Sequence, residues 1–257
     1  MNILVISSPR SRSSFFCDHL SKFYNVQNFH EIYDYREKTE MLYSKAKMTD
    51  QNFLELLIKD QTAYLHKTTK ETLKISSINK FFPRHIICNS SKINSDIDNI
   101  HNFSYKLVNN FIDVLQISKY DSIFVLHRNI TDIVASYLFA IKTKKLLHID
   151  SNLLEYISKK HKNVEFTVED HSTANYLVFE NLLLQSIKSV LQNSKIAYQE
   201  LNFIDIPKFL EINYKIDQPN SYLESNLDYS KIFSNYKDLN EHCVNVGKLL
   251  AGHVKLI

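Results

Sequence analysis

The stretch "NILVISSPRSRSSFFCDHLSKFY", residues 2–24, constrains this chain more than any other. Ile3 to Ile6 run without polar alternation and are bounded by Pro9, which fits a strand buried on both faces of a parallel sheet. From Ser13 the period changes. Phe16, Leu20, Phe23 and Tyr24 recur three or four residues apart, as on the buried face of a helix. Strand, loop and helix in direct succession make the opening a βα unit, and an α/β fold is the architecture built from such units.

The rest of the chain continues the alternation. "RHIIC" at 84–88, "DSIFVLH" at 121–127 and "KIAYQEL" at 195–201 read as further strands. Helical patterns fill roughly 50–74, 104–116, 132–144 and 171–193, the last opening on "EDHSTAN" with good capping residues. The expected fold is α/β, a three-layer sandwich with a central, mostly parallel sheet and right-handed crossovers. With 257 residues, 44% of them hydrophobic, one sizeable core suffices. No repeat, linker or composition break divides the chain, so a single domain, 1–257, is expected. A Lys/Thr/Glu-rich helical insertion without a strand of its own occupies about 36–80. It reads as a solvated helical pair, with a cover over the site as the alternative. A last helix in 228–252 closes the domain.

The bulk numbers exclude more than they indicate. A net charge of +3 demands neither nucleic acid nor an anionic membrane surface as partner. Cys17, Cys88 and Cys243 are odd in number, widely spaced and without a C-x-x-C pair, so neither a disulfide framework nor a zinc site is suggested. No segment approaches the roughly 18 apolar residues of a membrane span. No leader pattern precedes the first strand, so a cytoplasmic location is expected.

Charge concentrates locally instead. Only five arginines occur, Arg10, Arg12, Arg36, Arg84 and Arg128, and two of them sit in "SSPRSRSS". In an open α/β sheet the first strand-to-helix turn offers backbone N–H groups and the positive end of a helix dipole, a setting for phosphate or a similar anion. Two guanidiniums and several hydroxyls add donors. The nucleotide P-loop, G-x-x-x-x-G-K-[ST], fits Ser7 to Ser14 poorly: Ser7 and Arg12 stand at the glycines and Ser13 at the lysine. Without that lysine, and with no clear acid for magnesium, Mg-ATP chemistry lacks its usual charge neutralisation. A plain surface turn is the bland alternative.

A second motif lies in "SIFVLHRNITDIVASYLFAIK", 122–142. Asn129 caps a helix, Asp132 three residues on completes a capping box, and Arg128 is left at the strand's carboxyl end. Ser136, seven residues beyond the cap, shares its helix face, so Arg128 and Ser136 can address one anion.

Taken together, "PRSRSS" at 9–14 resembles the P-R-S-G-T-T loop of sulfotransferases that use 3′-phosphoadenosine 5′-phosphosulfate (PAPS), and Arg128, Asn129, Asp132 and Ser136 are similar in type and spacing to that family's R-N-P-x-D-x-x-x-S motif. Ile130 replaces the proline, a loss of rigidity rather than of chemistry. A weaker likeness joins "IAYQELNFIDIPKFL", 196–210, to the family's Y-E-x-L, with Gln199 in place of the acid. The resemblance implies a P-loop sulfotransferase-like fold and sulfuryl transfer from PAPS to a hydroxyl acceptor, without a metal. It implies that Arg10 stabilises the leaving group, that Ser11, Arg12, Ser13 and Ser14 hold the 5′-phosphate, that Arg128 and Ser136 hold the 3′-phosphate, and that Tyr198 lies near the adenine.

For the base, the resemblance to the glutamate-using branches points to Glu31, whose carboxyl in a dry acceptor site would have a raised pKa. His30, His85 and Asp18 are alternatives. The cytosolic branch's C-terminal R-K-G-x-x-G-D-W-K is absent, since the only glycines are Gly247 and Gly252 and there is no tryptophan. Arg12 standing at the loop glycine requires the loop to open differently or to use the guanidinium itself. A degenerate P-loop kinase or nucleotide phosphotransferase and a non-catalytic anion-binding module are the rival readings. The acceptor's class is not encoded in any motif.

Overall fold

The structure, a computed structural model, describes residues 1–34, 51–85, 108, 110–143, 163–215 and 227–253, with the backbone alone described at 51–58, 252 and 253. Five strands form one parallel sheet: β1 (Asn2–Ser7), β2 (Gln27–Asn28), β3 (Ser77–Phe81), β4 (Ser122–His127) and β5 (Gln199–Asn202), in the order β2-β3-β1-β4-β5. Among the described residues seven α-helices alternate with them: α1 (Ser13–Tyr24), α2 (Gln51–Thr72), α3 (Phe111–Val114), α4 (Ile130–Lys142), α5 (His171–Asn193), α6 (Ile206–Tyr214) and α7 (Tyr236–His253). This is the alternation of a three-layer α/β sandwich. No helix among the described residues is long and apolar enough to cross a membrane.

The chain divides into two compact units that interleave along the sequence. One comprises Met1–Ser7, Leu20–Leu126 and Leu183–Glu200; the other comprises Ser8–His19, His127–Leu182 and Leu201–Ile257. In the first, Ile3, Leu4, Val5 and Ile6 of β1 are all 0% exposed, as a strand covered on both faces requires. In register, Ile3 lies beside Ile78 of β3 and Ser122 of β4, and Ser7 beside Leu126. The same unit buries a polar network. Tyr33 and Tyr120 share a hydroxyl contact of 3.0 Å, and Thr69 Oγ1 donates to Tyr33 Oη at 3.3 Å. Desolvation drives the Tyr120 hydroxyl far above the ordinary tyrosine range, with Tyr33 adding to the shift.

Here the sequence reading needs two corrections. The strand expected at 84–88 is absent at its start: Pro83–His85 form a 3₁₀ turn, and 86–88 lie outside the described residues. The strand is β3, inside the stretch expected to be only helical, and α2 is the crossover that leads to it. "SINKF" hid from a hydrophobic-run search because Ser77, Asn79 and Lys80 are polar, yet all five residues are buried. Part of this polarity is met by partners: Ser77 Oγ donates to Asn2 Oδ1 at 3.0 Å, and Asn79 Nδ2 to Ser77 Oγ at 3.2 Å.

In the second unit α4 starts as read. Asn129 Oδ1 accepts from the Thr131 and Asp132 N–H groups at 2.9 and 3.4 Å, a cap worth about 1 kcal/mol. Asp132 does not complete the expected capping box; its Oδ1 accepts instead from Tyr236 Oη of α7 at 2.9 Å. Thr131 Oγ1 donates to Asn240 Oδ1 at 2.8 Å, so two side-chain bonds tie α4 to α7. The capping box that does form joins Thr167 and Asp170 at the entry to α5. Cys17 and Cys243 are buried.

Candidate anion-binding site

The strand order sets the location. From β1 the chain travels to β2 at one edge of the sheet, and from β4 to β5 at the other, so the direction of travel reverses between two adjacent parallel strands. Ligands of open α/β sheets gather at the carboxyl ends of such strands. Because Ser7 and Leu126 are in register, the loop after β1 and the residue after β4 leave the sheet at the same edge.

The loop has an unusual backbone. Arg10 and Arg12 hold φ of 59° and 61°, the left-handed region, and neither is glycine. Each costs about 1 kcal/mol for an L-residue. Arg12 is also the position where the resembled family carries its glycine, so the left-handed φ supplies a physical reason for that residue type. Here the arginine adopts the conformation at the expense of strain and adds a guanidinium. The Ser11 hydroxyl, buried, donates to the Ser8 carbonyl at 2.6 Å and braces the turn. Its proton thus faces the Ser8 carbonyl inside the loop. Ser8 Oγ donates to Asn181 Oδ1 of α5 at 3.5 Å. Phe16 N–H bonds Arg12 O at 3.0 Å, so α1 begins at Ser13 with its first-turn N–H groups directed out of the helix end, and no acid occupies that turn.

Three arginines converge on this loop. Arg128 Nη1 donates to the Arg10 carbonyl at 2.9 Å, and Arg10 Nε donates to Ser136 Oγ at 3.3 Å. Arg12 Nη1 donates to the Phe203 carbonyl at 3.3 Å. Arg128 is only 7% exposed, its Nε is buried without a hydrogen-bond partner, and no carboxylate among the described residues lies within ion-pair range of it. A buried guanidinium in that state is costly unless an anion completes it. Burial first, and then the charge of Arg128, lowers the Arg12 guanidinium to about 10. The second of these causes, the like charge of Arg128, is one that a bound anion relieves.

The sequence-predicted residues thus divide. Arg128, Arg10 and Ser136 are joined in series by direct bonds, Arg12 bonds the Phe203 carbonyl, and Ser13 and Ser14 open α1 beside Arg12 in the chain. Tyr198 does not lie within the strand as read at 195–201: it precedes β5, half-buried, and its hydroxyl accepts from Gln192 Nε2 at 2.9 Å. The aromatic at the carboxyl end of β5 is Phe203, whose ring lies 4.2 Å from the Arg12 Cζ and 4.0 Å from the Arg128 Cζ. Tyr229 adds a face 5.6 Å from the Arg128 Cζ. The signal for Phe203 was its place just past a strand, which the stronger motif likeness of Tyr198 masked.

Glu31 belongs to the other unit. Its side chain is 42% exposed, and Oε1 lies 3.7 Å from the Nζ of Lys80, whose side chain is 3% exposed. The dry setting expected for it is not what surrounds it. His85 is a core residue: fully buried, its Nδ1 accepts from Phe82 N–H at 3.1 Å, and the Phe81 and Phe82 rings pack on it. His30 is exposed and Asp18 half-buried.

Replacing Arg12 by glycine separates strain from binding. Relief of the left-handed φ, about 1 kcal/mol, is offset by the greater unfolded-state freedom of glycine, so the midpoint of thermal unfolding should move by only a few degrees. Loss of one charged donor should weaken phosphate-ester binding about tenfold or more, read by calorimetry. Unchanged affinity would remove Arg12 from the site.

No protein-family model, curated protein or solved structure matches the chain.

Proposed function

We propose that the chain is a sulfotransferase that moves the sulfuryl group of PAPS to a hydroxyl acceptor and releases 3′,5′-adenosine bisphosphate. One observation carries the reading: two motifs more than a hundred residues apart are locked together by the Arg128 to Arg10 bond, beside a buried guanidinium nitrogen that lacks a partner. Arg128 and Ser136 hold the 3′-phosphate. Arg12, Ser13, Ser14 and the first-turn amides of α1 hold the 5′-phosphate. Arg10 neutralises charge on the leaving phosphate as the S–O bond to it breaks and the S–O bond to the acceptor oxygen forms. The acceptor's proton passes to a base; the resemblance implies Glu31 for that role, and the Glu31→Gln comparison tests it.

Titration calorimetry with 3′,5′-adenosine bisphosphate tests the reading. Micromolar binding that persists in EDTA is the expected result; absence of binding overturns it, and binding or turnover of ATP that requires magnesium points to the phosphotransferase alternative. The exposure of Glu31 and its pairing with Lys80 favour a second reading, a module that binds the bisphosphate without transferring sulfate. Labelled PAPS offered with pooled phenol, sugar, lipid and peptide acceptors distinguishes the two.

A further inference from the structure

At the exit of β5, one residue meets every arginine-bearing segment of the site except Arg10 itself. Phe203 N–H donates to the His127 carbonyl at 2.8 Å, which fixes it to the residue preceding Arg128. Its carbonyl accepts from Arg12 Nη1 at 3.3 Å, and its ring lies under both guanidiniums at 4.2 and 4.0 Å. Phe203 is 4% exposed and Arg128 7%, so the Arg128 cation–π contact is desolvated, the condition under which it is strongest, while Arg12 is half-buried. Two guanidiniums this close repel each other, and each carries several rotatable bonds. Left alone they would splay into separate rotamers, and an anion would then have to gather and immobilise them.

We propose that Phe203 is a positioning residue that holds the Arg12 and Arg128 guanidiniums against one aromatic ring, ready for a doubly charged phosphate ester. The inference rests on the anion-binding reading above but not on sulfuryl transfer. The aromatic face attracts both cations at once, so it offsets their repulsion without introducing a carboxylate that would compete with the ligand. Apolar side chains of similar volume keep the core filled but lack that face.

The test compares Phe203→Leu, Phe203→Met and Phe203→Tyr with the wild type, using 3′,5′-adenosine bisphosphate as probe. Leu and Met should each weaken binding about tenfold, because the bonds of Arg12 to the Phe203 carbonyl and of Arg128 to the Arg10 carbonyl then act without the aromatic face, while Tyr keeps affinity within about twofold. Thermal unfolding is measured alongside. Equal affinity in Leu, Met and wild type overturns the proposal, as does a loss in which Tyr shares fully. Should both apolar variants fail to fold, the wild type still decides: the Arg12 and Arg128 Hδ resonances must carry aromatic ring-current shifts that persist when the probe is added, and unshifted resonances overturn the proposal. If wild type binds no bisphosphate yet both resonances are shifted, the sulfotransferase reading fails and the clamp stands for another anion.

Discussion

Arg128→Ala should weaken binding of 3′,5′-adenosine bisphosphate by about 30- to 1,000-fold, corresponding to ~2 to 4 kcal/mol for a desolvated ionic contact. The size follows from burial. At 7% exposure the guanidinium is screened little by water, and its Nε has no protein partner, so a phosphate oxygen there meets a charge whose desolvation cost the fold already carries. The same side chain donates to the Arg10 carbonyl, so its removal also frees a residue held at a left-handed φ. Arg128→Lys should recover only part of the affinity, because an ammonium cannot reproduce the planar fork that bonds the loop and an anion together. Stability should change little, since lost cation–π contacts with Phe203 and Tyr229 are offset by removing a buried charge. Calorimetry and thermal unfolding on the same samples check both statements; a variant that binds as tightly as wild type removes the anion site.

Glu31→Gln should lower sulfate transfer by about 10²- to 10⁴-fold, the usual contribution of a positioned general base, while bisphosphate affinity stays within about twofold. The amide keeps the shape and removes the ability to take the acceptor's proton. It also strips one carboxylate from the buried Lys80 ammonium 3.7 Å away, so unfolding must be followed with the rate. A destabilised variant with a normal rate assigns Glu31 to the ion pair alone. Transfer that is absent in both forms while the bisphosphate still binds marks the non-catalytic module. A retained rate in a transferring wild type moves the base elsewhere, with His30 and Asp18 remaining. His85 is fully buried, its Nδ1 accepts from Phe82 N–H, and the Phe81 and Phe82 rings pack against it, so it serves the core.

Much of the scaffold was legible because its signals are local. β1, β4, α4 and α5 announce themselves by apolar runs, by 3.6-residue periodicity and by caps such as Asn129, each readable within a few residues. β3 was not legible. Its interior residues Ser77, Asn79 and Lys80 are polar, and only their partners on β1, on β2's neighbouring loop and within the strand itself make burial tolerable. Tyr198 and Phe203 illustrate the same limit at the site. Five residues apart along one segment, they fall on opposite sides of β5, and the motif likeness selected the one before the strand. Asp132 had a sound local role in a capping box, but a hydroxyl from α7 offered a longer-range bond that won.

The sequence by itself determined the α/β alternation, the positive loop after the first strand and the two arginine motifs, because strand burial, helix period and capping act between residues near in the chain. Only the tertiary structure decided that Arg10, Arg12 and Arg128 share one place, that Phe203 lies beneath two of them, and that Glu31 faces water beside Lys80. Those outcomes depend on strand order and register, which bring the ends of β1 and β4 to one edge of the sheet and are set by packing between segments distant in sequence.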